Sequence, residues 1–325
     1  MKKIGLYGTG NFAVAIANLL AKNNNTVTIY SHRENLTKQI NTTHKSSNAF
    51  FDVKISATSN IEAFVKESEY IFIITPSDFF LEAIKKISPY VKENHVVVHG
   101  IKGFFINWNG SNFLDKNDIS TFSSIVKKNL KTENIAYISG PNLARELLEN
   151  KPAATLVSSE NFNLSKEICM TLSQQNFLAL PSENLKEAEL CGVLKNIYAI
   201  AIGYISHLGM NANGAVISKS LDEMSLIFDL FEYDKKILTS IAGIGDLIAT
   251  AFSDSSRNAS LGKKLAENIS IEKILEEKKT YEGIKTIKAI KFLSIKYDLK
   301  LPIVDFFYST IFKNYSEKDF FSKII

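Results

Sequence analysis

The sequence predicts an α/β chain: a doubly wound, mostly parallel sheet domain over residues 1–185, followed by an all-α C-terminal domain over residues 186–325. Short β-branched runs alternate with helical patterns from Lys3 to about Ser182, as parallel strands joined by crossover helices require. The first of those runs leads straight into a glycine-rich turn and a helix. After Leu185 the strand signals fade, and long helical patterns run through Gly203, across Ser218–Phe231 and across Glu282–Tyr297. Pro181 is the one strong punctuation near the expected boundary.

Strands are expected at Ile4–Tyr7, Val27–Tyr30, Tyr70–Ile74, His95–Val98, Ile135–Ile138, Thr155–Val157 and Phe177–Ala179. The first ends in Gly8-Thr-Gly10-Asn11-Phe12-Ala13, followed by the helical pattern Val14–Leu20. Gly8 permits the tight turn and Gly10 lets the backbone approach a pyrophosphate. The helix amino terminus then offers free N–H groups and a favourable dipole to the anion, and Ala13 is small enough for close helix–strand packing. Strand, GxGxxA, helix and second strand together read as a Rossmann-like dinucleotide-binding unit. The second strand ends Tyr30-Ser31-His32-Arg33, with no acid at its tip to bind a ribose 2′-hydroxyl. Arg33 suits a 2′-phosphate and tilts the reading toward NADPH, while Glu34 keeps NADH open.

Three further turns fall at strand carboxyl ends, where doubly wound sheets bind ligands: Ile74–Ser77, Gly100–Gly103 and Ser139–Asn142, the last just before helix Leu143–Leu148. Lys102 lies between Gly100 and Gly103, which allow close backbone approach to a cofactor or substrate, although most loop lysines are merely solvated.

Composition bounds the partners. The chain has 325 residues, 45% hydrophobic and 22% charged, enough for two domains of ~100–200 residues each. A formal charge of +4, with lysines dispersed among acids, gives little support for nucleic-acid or membrane binding and leaves a small anionic substrate open. Cys169 and Cys191 form no CxxC pair and no cysteine–histidine cluster, so neither a disulfide framework nor a metal site is expected, and a reducing cytoplasm fits. Gly5, Gly8, Gly10 and Asn11 break the amino-terminal apolar run before a secretory segment could form. No uninterrupted apolar stretch approaches the ~20 residues of a membrane span. The aromatic segment Asp305–Ile325 is expected to pack as a helix rather than lie on a membrane.

The candidate chemistry lies in the second half. Lys195 sits with Asn196 in Glu189–Gly203, a helical segment apolar on nearly every face, so the lysine is expected to be buried and its pKa lowered, unless it snorkels to the surface. Asp246 is a lone carboxylate in the apolar, glycine-rich stretch Ala242–Thr250 and is expected to orient Lys195. Ser255-Ser256-Arg257-Asn258 precedes a helix and offers paired guanidinium donors and a helix amino terminus to a phosphate, or is simply a cap with an exposed arginine.

Taken in order, these segments closely resemble the bacterial type of NAD(P)-dependent glycerol-3-phosphate dehydrogenase over nearly the whole chain. The resemblance is carried by Gly8–Ala17, Gly100–Gly103, Ser139–Ala144 with Lys151-Pro152, Leu194–Asn196, Gly243–Asp246 with Thr250, Ser255–Asn258, Tyr281–Gly283 and Leu301–Ile303. It implies reversible hydride transfer between NADPH or NADH and dihydroxyacetone phosphate, giving sn-glycerol 3-phosphate for phospholipid synthesis. It further implies that Lys195 is the proton donor and acceptor and that Lys102 touches both ligands. Gly140, Asn142, Asp246, Ser256, Arg257 and Asn258 match positions lining the substrate. Asn11, Phe12, His32, Ala144 and Glu282 match cofactor contacts, alongside Gly8, Gly10, Arg33 and Arg257.

The chain departs from the family at Ala13, at Asn142-Leu143 and at Ser218-Lys-Ser220. The second departure puts Asn142 in doubt as a substrate contact, and the third bears on packing and subunit contacts, with a homodimer as the candidate assembly. Two other readings stand beside this one: a two-domain dehydrogenase of the β-hydroxyacid or ketopantoate type, and a non-catalytic NAD(P)-binding redox sensor. In the hydroxyacid group lysine and asparagine lie one helical turn apart, whereas Lys195 and Asn196 are adjacent. For a sensor the lysine, aspartate and arginine set would be superfluous.

Overall fold

The computed structural model describes residues 1–46, 49–106, 114–277, 279–313 and 320–325. The chain divides into two compact units, one of Met1–Ile101 with Phe122–Leu185 and one of Lys102–Thr121 with Lys186–Ile325. Lys102–Thr121 thus groups with the helical unit, whereas the sequence reading keeps residues 1–185 together.

In the first unit the eight sheet strands are β1 (Lys3–Tyr7), β2 (Thr26–Tyr30), β3 (Ser56–Thr58), β4 (Tyr70–Ile73), β5 (Val96–His99), β6 (Ile135–Ser139), β7 (Ala153–Ser158) and β8 (Phe177–Ser182). Their spatial order is β8-β7-β6-β5-β4-β1-β2-β3. Every neighbouring pair is parallel except β6 with β7, which run antiparallel. The order reverses between β1 and β4, and at that switch point the carboxyl ends of adjacent strands diverge to leave a ligand crevice. Strands β4 and β5 are buried along their whole length, as strands covered on both faces must be. Helix Asn11–Lys22 packs its alanines and Val14, Ile16, Leu19 and Leu20 into the same core.

Among the described residues the second unit is helical apart from a two-stranded ribbon, in which Phe105 pairs with Ser120 and Ile106 with Ile119. Its central helix, Leu185–Ile205, is buried on all sides from Ala188 to Gly203. With its extension to Leu208 this helix is, by length and composition, long and apolar enough to cross a membrane, although Lys195 and Asn196 interrupt it. However, 94% of the apolar window is buried inside the protein. Phe306, Phe307 and Phe320 cluster around Tyr204 and are buried, so these three aromatics of the carboxyl-terminal segment are core, whereas Phe312 and Phe321 are exposed; residues 314–319 lie outside the described residues.

Candidate active site

Close backbone packing fixes the central helix. A Cβ on Gly203 would collide with the Ala259 backbone, and one on Gly262 with the Ile200 carbonyl, so helices Leu185–Ile205 and Arg257–Ala266 meet backbone to backbone. At the start of helix Glu282–Lys296 a Cβ on Gly283 would lie 2.8 Å from the Asn196 carbonyl. Asn258 bridges the three elements: its Nδ2 donates to Asn196 Oδ1 at 3.0 Å, and its Oδ1 accepts from the Gly283 N–H at 3.2 Å.

Lys195 is 4% exposed and Asp246 2% exposed. Lys195 Nζ donates to Asp246 Oδ1 and, at 2.6 Å, to Thr250 Oγ1, while the Thr250 hydroxyl donates to Asp246 Oδ1 at 3.2 Å. Lys102 Nζ reaches the other carboxylate oxygen at 2.7 Å. Asp246 and Thr250 stand one turn apart on helix Asp246–Ala251, which follows a wide turn at Ile241–Gly245. That turn closes only around a glycine, since a Cβ on Gly243 would collide with the Leu238 carbonyl.

Two ammonium groups on one carboxylate leave the cluster with a surplus positive charge. Burial pushes the Lys195 amine down to about 7, with Lys102 adding like-charge repulsion and Asp246 pulling the other way. For Asp246 burial acts to raise the pKa, but the Lys102 and Lys195 ammoniums outweigh it and hold the group below the ordinary value, so it stays a carboxylate. Lys195 is therefore poised to give and take a proton near neutral pH.

Arg257 is exposed at the first position of its helix, and the Ser256 hydroxyl caps that helix by accepting from the Ala259 N–H at 3.2 Å. Glu282 opens helix Glu282–Lys296 and is partly buried. Sequence reasoning singled out neither Thr250 nor Asn196 as a site residue. The i,i+4 spacing of Thr250 from Asp246, and the adjacency of Asn196 to Lys195, were the signals available.

In the first unit, Gly8 has φ +142° and sits against the Ile74 carbonyl, where any side chain would collide. A Cβ on Gly10 would meet nothing within 4 Å, so packing within the protein does not demand the glycine, and the open space beside it suits close approach of an external group. Gly10 caps helix Asn11–Lys22 without a side-chain bond, and the first turn has no acid, which leaves exposed Asn11 and partly buried Phe12 at an amino terminus suited to a pyrophosphate. His32 and Arg33 are exposed at the end of β2. Arg33 Nη2 donates to Thr9 Oγ1 at 3.4 Å, beside a cavity of about 720 Å³ whose lining includes Thr9, Arg33, Glu34, Gln39 and Ser46. These residues fit the phosphate and ribose ends of a dinucleotide.

Gly140 has φ +141° against the β7 backbone. Asn142 is buried, donating Nδ2 to Thr155 Oγ1 at 3.1 Å, and Thr155 in turn donates to the Ser139 carbonyl at 3.0 Å, so this amide ties the turn after β6 to β7. Ala144 begins helix Ala144–Leu148. Among the described residues no group of three His, Cys, Asp or Glu side chains could hold a metal ion.

A dinucleotide loop on a doubly wound sheet and a buried lysine–aspartate centre on a helical unit define a nicotinamide-dependent dehydrogenase. The family models narrow the class. The description "NAD-dependent glycerol-3-phosphate dehydrogenase N-terminus" matches residues 3–165, and the corresponding C-terminus matches residues 184–322. The chain belongs to this family, and its cofactor is of the NAD(P) class. It is 31% identical to glycerol-3-phosphate dehydrogenase [NAD(P)+] of Rickettsia bellii, covering 93% of this chain and 96% of the relative. The crystal structure of glycerol-3-phosphate dehydrogenase from Coxiella burnetii superposes with a TM-score of 0.85 at 26% identity, covering 99% and 98% of the two chains. A ketopantoate reductase from Ralstonia eutropha shares the fold more loosely, with a TM-score of 0.56 at 13% identity, covering 95% of this chain and 97% of that one.

Proposed function

We propose that this chain catalyses the reversible NAD(P)-dependent reduction of dihydroxyacetone phosphate to sn-glycerol 3-phosphate, feeding glycerophospholipid synthesis. The observation that carries the reading is the buried Lys195–Asp246–Lys102 cluster, one asparagine bridge away from the helix that Arg257 opens. A carbonyl reduction needs a proton on oxygen as hydride reaches carbon, and a fixed ammonium supplies both the proton and the polarisation. NAD(P)H, held by Gly8, Gly10, Asn11 and Phe12, supplies the hydride when bound.

In the reducing direction the Lys195 ammonium hydrogen-bonds the C2 oxygen and gives it a proton, completing the new O–H bond and leaving a neutral amine; the reverse reaction begins with that amine taking the proton back. Asp246 and Thr250 aim the amine, and Lys102 holds the substrate. Arg257, with Ser256 and the helix amino terminus, grips the phosphate, so that binding energy remote from the reacting carbon positions it. Loss of nicotinamide absorbance with dihydroxyacetone phosphate, and none with ketopantoate or β-hydroxyacid-derived ketones, is the expected result. Turnover of the latter instead would refute the reading.

Arg33 beside its cavity supports a preference for NADPH. Arg33→Ala is expected to raise the KM for NADPH while leaving that for NADH, and equal effects on both would remove the preference. Cytoplasmic action is supported by Cys169 and Cys191, which are both buried free thiols.

A further inference from the structure

Lys102 stands on irregular backbone beside Gly103, yet its ammonium must meet Asp246 at 2.7 Å. A long side chain on such a loop holds its place only if the loop is anchored elsewhere. The anchor lies across the ribbon that follows it. Phe105 pairs with Ser120 and Ile106 with Ile119, and the returning strand is preceded by a tight knot at Asp115–Asp118. There Asp115 Oδ1 accepts from the Asn117 N–H at 2.9 Å, and Asp118 Oδ2 accepts from the Asp115 N–H at 2.8 Å, so the knot is internally rigid.

The other oxygen of Asp115 faces outward to the helices. It accepts from the Tyr297 hydroxyl at 3.0 Å and from the Lys296 ammonium, both at the end of helix Glu282–Lys296. The Lys116 N–H donates to the Tyr297 oxygen at 3.4 Å. Lys116 Nζ donates to the Leu230 carbonyl at 3.1 Å and to Glu232 at 3.0 Å, neutralising the carboxyl end of helix Met210–Phe231. Two helix ends thus grip one knot, and the knot holds the ribbon whose other strand begins three residues after Lys102.

We infer that Asp115 and Tyr297 are positioning residues for Lys102, clamping its strap to the helical unit so that its ammonium stays on Asp246. The inference rests on the proposed function for its kinetic part only. It predicts that Asp115→Asn and Tyr297→Phe each lower kcat/KM for dihydroxyacetone phosphate roughly 10- to 100-fold, the scale of a small misplacement at a reacting centre. The loss should vanish in a Lys102→Ala background, since a clamp that acts through Lys102 has nothing left to position.

The same variants are also labelled with trinitrobenzenesulfonate and mapped by mass spectrometry, a readout that needs no turnover. Lys102 should be modified faster in both, while Lys22 and Lys263 label as in wild type. Tyr297→Phe removes a single hydroxyl, and an unchanged melting temperature establishes that its fold is intact. Equal kinetic losses with and without Lys102, or unchanged labelling of Lys102, would overturn the inference. Wild-type enzyme inert toward dihydroxyacetone phosphate would instead overturn the proposed function, and the labelling result would still decide the clamp.

Discussion

On the proposed mechanism, the lowered pKa of Lys195 makes the rates in the two directions depend on pH in opposite senses. With the group at about 7, half is ammonium at pH 7 and about one part in 100 at pH 9. Ketone reduction uses the ammonium, so kcat/KM for dihydroxyacetone phosphate should fall about 50-fold across that window. Alcohol oxidation uses the neutral amine, so its kcat/KM should rise only about twofold over the same range and drop about tenfold for each unit below pH 6. The window avoids titration of the substrate phosphate, whose second pKa lies near 6. Initial rates at subsaturating substrate, with saturating cofactor and constant ionic strength, report the free-enzyme group in both directions. The two midpoints must coincide, because one nitrogen serves both. A reduction profile flat to pH 9 would mean that Lys195 titrates as an ordinary lysine, and the argument from burial would fail.

Three further outcomes follow from the same geometry. Asp246→Asn removes the carboxylate that favours the charged form of Lys195; the reduction midpoint should move to lower pH, and unfolding titrations should show a loss of about 3–5 kcal/mol, the usual effect of breaking a buried pair. Arg257→Ala should raise the KM for dihydroxyacetone phosphate at least tenfold with little loss of stability, since the side chain is exposed; an unchanged KM would relocate the phosphate site. Gly262→Ala drives a methyl into the Ile200 carbonyl and should cost about 1–3 kcal/mol of stability in denaturant melts, together with activity, because the displaced helix carries Lys195.

Much of this was legible in the chain because the signals were local. All seven expected strands exist, since β-branched runs bounded by turns declare themselves over a few residues. The strand at Ser56–Thr58 escaped because three residues with a single β-branched side chain carry no periodic signal. The antiparallel course of β7 also escaped, because alternation of side chains gives no strand direction. Lys195 was conspicuous as a cation in a helix without a polar face. Its contact with Asp246 spans 51 residues of sequence, and the Asp115–Lys296 pair spans 181, so only the fold could reveal them. The grouping of Lys102–Thr121 with the helical unit is illegible in sequence for the same reason: nothing within it announces that its partners lie near residues 230 and 297.

The charge count of the cluster explains why this arrangement is worth its instability. A buried lysine paired one-to-one with aspartate would be neutral as a unit and indifferent to an incoming anion. With Lys102 added, the centre lacks one negative charge, and the missing charge is what an oxyanion developing at C2 and a nearby phosphate provide. On the proposed mechanism its stabilisation would appear most strongly where negative charge develops. On that logic Lys102→Ala should make the protein easier to charge at Lys195, with the reduction midpoint moving above pH 7, and should slow turnover at every pH. Removing a like charge would thus repair the titration and damage the catalysis together, whereas a Lys102 that only bound substrate would raise KM without moving the midpoint.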